Sequence, residues 1–161
     1  MNDQLGSAPG LAVKITPSHL ILNVADTDAT IRFYGALFGA QATDDMEIAT
    51  PALDAMFGRA GVRIRSTFID VGGYRLHTIQ TLDQPRTSAG GHGGAAAFTG
   101  ISGLSFSVDD LEGFHAAAKS AGFEPTDIYR FDLDTPEHSA SMFFIDDPDG
   151  LRCELVAFPH G

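Results

Sequence analysis

Asp146-Asp147-Pro148-Asp149-Gly150-Leu151-Arg152-Cys153-Glu154-Leu155-Val156 is the stretch on which the reading of this chain turns. Pro148 and Gly150 among three aspartates form a strong turn signal. Met142-Phe143-Phe144-Ile145 runs into the turn and Leu155-Val156-Ala157-Phe158 runs out of it, so it joins two strands. One carboxylate, Glu154, interrupts the outgoing apolar run. On a strand of that character a carboxylate is paired, protonated or bound to a metal. Its companion must come from elsewhere in the chain.

Upstream, the same grammar occurs twice. Residues 1–14 carry Asn, Asp, Gln, Ser, Pro and two Gly with little periodicity, and are expected to form a flexible N-terminal arm. A β-rich run from Ile15 to Val24 leads to Asp26 or Thr27, either of which can cap a helix over Asp28 to Phe38. Ile31, Phe33, Tyr34, Leu37 and Phe38 recur there at helical spacing, and Gly39 stops the helix. Residues 40–61 carry mixed signals, with a short helix over Leu53 to Phe57 as one option. Val62 to Val71 reads as a strand that Gly72-Gly73 turns back into Tyr74 to Leu82. The glycine-rich residues 83–100 are expected to be a linker or flap. Then come a strand (Ile101 to Val108), a helix capped by Asp109 or Asp110 (Leu111 to Ala121), a loose stretch to Pro136, and strands near Ser139–Ile145 and Leu151–Phe158.

The two copies, residues 15–82 and 101–158, overlay by their own landmarks. Val24-Ala25-Asp26 falls on Val108-Asp109-Asp110, which sets His19 over Gly103. Gly73-Tyr74-Arg75-Leu76-His77 falls on Gly150-Leu151-Arg152-Cys153-Glu154, which sets His77 over Glu154. Each copy therefore carries a metal-capable side chain four residues past its hairpin glycine. Alternation places His19, Ile21 and Asn23 on one strand face, and gives Arg75, His77 and Ile79, and Arg152, Glu154 and Val156, faces of their own. If the copies pack as pseudo-symmetric sheets, His19, His77 and Glu154 point into one concavity. Two imidazoles and a carboxylate with open positions suit a divalent metal, Fe(II) above all, with Zn, Mn, Ni or Co also acceptable.

The repeat, the opening "PSHLILNVAD", the helix end "FYGALFG", "GLSFSVDDLEGF" and the closing "DDPDGLRCELV" resemble the vicinal oxygen chelate superfamily over residues 16–158. That group includes glyoxalases, epimerases, extradiol dioxygenases and bleomycin- and fosfomycin-resistance proteins. The resemblance implies an α+β fold of two tandem βαβββ modules whose curved sheets form a cup around a metal. It implies ligands at His19, His77, Gly103 and Glu154, and commonly a homodimer. Two positions depart from the pattern. His77 stands where glyoxalase- and epimerase-like members carry Glu or Gln, and Gly103 stands where they carry His. His92, in the glycine-rich segment, is a candidate replacement.

For substrate contacts, Arg63 and Arg65 offer guanidinium forks that suit carboxylate or phosphate. Ile21 and Phe143, with Phe68, Phe106 and Phe144, offer apolar lining, and Tyr129 with Arg130 a closing element. The plainer alternatives are that the arginines answer the chain's own acids, that several of the rings are core, and that Glu154 is salt-bridged to Arg75 or Arg152. Of the other histidines, His115 reads as solvent-exposed on the second helix. Cys153, pointing away from Glu154, reads as packing against the helices, and as a lone cysteine it fits a reducing cytoplasm. The balance of 10 basic and 21 acidic residues, net −11, repels nucleic acid, and no apolar run is long enough for a membrane span. No secretory signal is read in Met1 to Lys14.

Three functions follow. The first is a metal-dependent lyase or isomerase acting on a small substrate with vicinal oxygens through an enolate, for which the resemblance offers Glu154 as a candidate base. The second is an Fe(II) ring-cleaving dioxygenase using the same triad. The third is a metal-free protein that binds a drug or metabolite, as the empty position at Gly103 suggests.

Overall fold

The computed structural model describes residues 16–84, 103–131 and 139–158. The N-terminal arm, residues 85–102 with His92, and His138 and His160 lie outside the described residues. The first module runs β1 (Leu20–Asn23), α1 (Thr27–Phe38), β2 (Gln41–Ile48), α2 (Pro51–Phe57), β3 (Ile64–Val71) and β4 (Tyr74–Thr81). The second runs β5 (Gly103–Ser107), α3 (Leu111–Ser120), β6 (Tyr129–Phe131), β7 (Ala140–Asp146) and β8 (Arg152–Ala157). Each makes one four-stranded sheet, in the orders β1-β4-β3-β2 and β5-β8-β7-β6. In both sheets the first strand lies parallel to the last, and the other pairs are antiparallel. The architecture is α+β, a βαβββ module used twice, with α2 inserted into the first copy.

Local chemistry accounts for the elements. Asp26 caps α1 by accepting from the Asp28 and Ala29 amides, and Gly39 closes it in the left-handed conformation. Asp110 caps α3 through the Gly113 amide. Thr50 caps α2, and Pro51 stands in its first turn. At the first hairpin Gly72 and Gly73 both have positive φ, the backbone that a two-residue turn between twisted strands requires.

Two strands escaped the sequence reading. β2 occupies the undecided stretch, and β6 lies inside the residues read as loose. Both are sheet edges and almost wholly exposed, so no apolar alternation marks them. β2 also bulges between Thr43 and Met46, where Asp44 takes a positive φ of 53°.

The modules meet through their helix-bearing sides. One buried cluster joins Phe33, Tyr34, Ile69, Val71 and Leu76 of the first module to Leu104, Phe106, Phe143, Ile145, Cys153 and Leu155 of the second. Phe38 of α1 packs on Phe106 at 4.5 Å between ring centroids, and Phe33 meets Phe123 edge-on at 5.6 Å. Cys153 is fully buried here, as its alternation implied. His115 differs from its reading: it is half-buried, with Nε2 2.9 Å from the Thr126 carbonyl and its ring against Phe143.

The aspartate turn between β7 and β8 also staples the modules. Asp147 is buried; its Oδ1 accepts from the Asp149 and Leu151 amides, and its Oδ2 accepts from the Tyr34 hydroxyl of α1 at 3.2 Å. Asp149 accepts from the Ala25 amide at 3.0 Å. Burial pushes the Asp147 carboxyl above its usual range, and the two amide donors oppose that rise. Replacing Asp147 with Ala strands three donors, so Asp147→Ala is expected to lower the unfolding free energy by about 2–4 kcal/mol, checked by urea denaturation.

Candidate functional site

Because strand side chains alternate, covering one face of each sheet with helix leaves the other face turned away from the shared core. On the first sheet that outer face carries Ile21, Ser66, Phe68, Arg75 and His77. Register sets Ile21 and Phe68 on either side of His77. α2 covers the far end of the face, with Leu53 packed on Val62 and Ile64. The remainder is open, and Ile21 is 59% exposed.

His19, just before β1, stands edge-on to His77 with ring centroids 5.2 Å apart. Phe68 stacks on His77 at 4.5 Å and meets His19 edge-on at 5.4 Å. His77 Nε2 is 2.7 Å from Ser66 Oγ, whereas its Nδ1 is buried without a hydrogen-bond partner. His19 Nδ1 is 2.9 Å from Ser18 Oγ. Desolvation lowers the His77 pKa from its ordinary value, and the neighbouring His19 lowers it further. The face therefore presents a neutral imidazole with one unshared nitrogen beside a second imidazole.

The second sheet repeats the arrangement with different ends. Register places Ser105 and Phe144 on either side of Glu154, as Ile21 and Phe68 flank His77. Ser105 Oγ donates to Glu154 Oε2 at 2.6 Å. Arg152 lies over Phe144 at 5.1 Å, as Arg75 lies over Phe68 at 4.7 Å. Asp146 pairs with Arg152 and Asp70 with Arg75 in the same register. The pattern Phe-x-Asp, then Gly-x-Arg-x-(His or Glu), is thus used once per module. Glu154 is bonded to Ser105, not to either arginine.

Several expected site residues lie elsewhere. Arg65 alternates to the helix side of β3, where it binds Asp28 of α1 and Asp45 of β2. Its hydrogen bonds hold the Asp45 carboxyl down to about 2. Arg63, just ahead of β3, pairs with Glu47 at the sheet edge. Phe143 is fully buried in the shared core and cannot line an open face. These three are corrections: the hairpin register puts Ser66 and Phe68, not Arg65, beside His77. Ile21 lies on the histidine face, and Tyr129 on the glutamate face near Phe144. Nor does the structure bring Glu154 to the imidazoles within one chain, because the joint core lies between the two outer faces. Among the described residues no group of three or more His, Cys, Asp or Glu side chains is gathered to hold a metal.

The remaining expected ligand position, Gly103, has a structural reason to be glycine. A Cβ there would stand 2.3 Å from the Arg152 carbonyl oxygen on the neighbouring strand.

Comparison with known proteins agrees with this fold. The family model of the Glyoxalase/Bleomycin resistance protein/Dioxygenase superfamily matches residues 16–155. The chain belongs to that superfamily. A search of curated proteins finds no match. Among solved structures, a glyoxalase family protein from Bacillus cereus is similar with a TM-score of 0.71 at 14% identity, over 93% of this chain and 98% of that one. A glyoxalase family protein from Enterococcus faecalis is similar with a TM-score of 0.61 at 22% identity, over 86% and 94%. The fosfomycin resistance protein FosX from Listeria monocytogenes is similar with a TM-score of 0.54 at 16% identity, over 90% and 94%. At these identities the structural likeness speaks to the fold alone. No helix among the described residues is long and apolar enough to cross a membrane.

Two measurements probe this superfamily face. His77 is expected to titrate by NMR with a midpoint below the ordinary histidine value. Since the unfolded chain then takes up a proton near pH 6.5 that the folded chain refuses, stability contributed by neutral His77 falls as pH drops through that value, and His77→Gln is expected to remove that part of the slope. Gly103→Ala is expected to lower stability by about 1–3 kcal/mol in thermal unfolding, because the Cβ collides with backbone rather than with a movable side chain.

Proposed function

We propose that the chain is a divalent-metal-dependent lyase or isomerase that takes a small substrate with vicinal oxygens and removes a proton beside its carbonyl. The observation that carries the reading is the adjacent pair His19 and His77, with an unpartnered buried nitrogen on the second ring, on an open face of a superfamily chain. This donor set suits a metal: two imidazoles, one kept neutral by burial, so that it carries a lone pair at neutral pH. His19 and His77 would hold the ion, with Glu154 as third donor. When bound, a divalent cation polarises a substrate oxygen and steadies developing enolate charge.

The chain's own groups do the rest. Ser66 fixes the His77 ring through Nε2, and Ser105 fixes the Glu154 carboxylate. Glu154 accepts the proton from the carbon next to the carbonyl. As the two faces of one chain look away from each other, the reading takes the site as shared in a homodimer, the histidine face of one protomer against the glutamate face of its partner. The exposed apolar side chains on these faces, Ile21 and Met46 on one and Tyr129 and Phe131 on the other, support such a contact.

A second reading, a metal-free binding protein for a small drug or metabolite, is favoured by Gly103, where the chain has neither a ligand nor space for one. The same glycine weighs against the ring-cleaving dioxygenase, whose resemblance asks for a histidine there.

Complementation separates these. His77→Ala and Glu154→Ala chains are each expected to lose tight Co(II) binding. Mixed one to one, they are expected to recover it in about a quarter of the sites, because each mixed dimer rebuilds one of two. Co(II) binding that neither substitution weakens, or its absence from the unsubstituted chain, removes the metal reading. Loss without recovery on mixing removes the shared site.

A further inference from the structure

The duplicated pattern supplies an internal control for its own arginines. Arg152 is neutralised: its Nε and one terminal nitrogen meet the two Asp146 carboxylate oxygens at 3.0 and 3.4 Å, and the side chain is 19% exposed. Arg75, at the equivalent position, is 45% exposed. Its contacts with carboxylates are a 3.3 Å approach to Asp44 and a 4.0 Å approach to Asp70, both on exposed side chains. Exposed pairs of that length contribute little. Its guanidinium is nevertheless held in place, over the ring of Phe68 that also stacks on His77. A positioned but weakly paired guanidinium beside two imidazoles is a recognition group without its ligand.

We propose that Arg75 selects the substrate of this face by taking a carboxylate on it. The inference rests on the reading of the His19–His77 face as the substrate site, and does not need the metal. Carboxylate is the fitting anion rather than phosphate. The fork of Arg75 donates to two coplanar oxygens. Asp44 and Asp70 stay close by, and the whole chain carries −11, so one singly charged group can displace Asp44 at no change in local charge. A dianion adds repulsion. The apolar body of the ligand would lie on exposed Ile21, which flanks His77 in register. The substrate class is therefore a small monocarboxylate with an apolar portion.

Calorimetric titration of the purified chain with benzoate and with benzamide, its neutral isostere, reads the charge preference. Benzoate is expected to bind at least about tenfold tighter. Arg75→Gln is expected to bring benzoate down to the benzamide level while benzamide affinity stays, which also shows that the face is intact. Arg75→Lys is expected to restore part of the preference. Lys119→Gln, which removes an exposed cation in the last turn of α3 on the second module, is expected to leave the preference as it was. Equal binding of the two ligands to the unsubstituted chain, a preference that survives Arg75→Gln, or phenylphosphonate binding tighter than benzoate would each overturn the assignment. Repeating the titration after chelator treatment separates the two proposals. A preference that persists without metal upholds Arg75 whatever becomes of the metal reading, and intact Co(II) binding without any preference removes Arg75 alone.

Discussion

The aromatic wedge of α1 is the contact on which the rest of the structure depends. Phe33, Tyr34 and Phe38 pack against Phe123, Cys153 and Phe106 of the other module, so both sheets spend their helix-side faces on one core. Rings of this size each contribute about 2–3 kcal/mol when fully buried. Once that choice is made, period two leaves the opposite faces outward, and His77 and Glu154, being on those faces, are carried apart. The same packing brings the second hairpin's aspartates to α1, where Tyr34 and the Ala25 amide are waiting for them. The turn motif thus serves folding directly and chemistry only through the strand that follows it.

Duplication then gives each outer face the same skeleton with different ends. A phenylalanine stands opposite the metal-capable residue, an arginine lies over that phenylalanine, and an aspartate stands across from the arginine. What differs is how far each group is satisfied. Arg152 is closed by Asp146, Glu154 is tied to Ser105, and position 103 is sealed by the Arg152 carbonyl. In the first module Arg75 is loosely paired, His77 keeps an unshared nitrogen, and a histidine stands at position 19. One half of the duplication has been made self-sufficient, and the other has been left with open valences.

Much of this was legible in the sequence because it rests on short-range rules. Capping aspartates, stop glycines and the Gly72-Gly73 turn fixed the helices and the first hairpin. The overlay of Gly73–His77 on Gly150–Glu154 agrees with the strand register residue for residue. The lining arginines failed for a reason the sequence also contained. A two-residue turn sets Val71 opposite Tyr74, hence Phe68 opposite His77, and Arg65 must then face the helix. β2 was not legible because it is an exposed edge whose acids meet Arg63, Arg65 and Arg75, which leaves no apolar signature. The facing of the modules was not legible either, since alternation reports that a strand has two faces but not what covers each.

The location of unsatisfied groups argues for where the chemistry lies. Buried polar atoms are normally partnered, because leaving one bare costs about 1–3 kcal/mol. Among the described residues three side-chain atoms break that rule: Thr27 Oγ1, Asp149 Oδ2 and His77 Nδ1. The first two belong to the module junction, where α1 begins and the aspartate turn docks, and they are the residue of fitting two surfaces together. His77 Nδ1 has no such excuse: it lies on an outer face, on a ring already oriented by Ser66. The arginine with the longest ion pairs described, Arg75, stands two residues away on the same face, in a chain with twice as many acids as bases to satisfy it. Its guanidinium and the bare His77 nitrogen lie on one side of one sheet, and a ligand seated there would reach both.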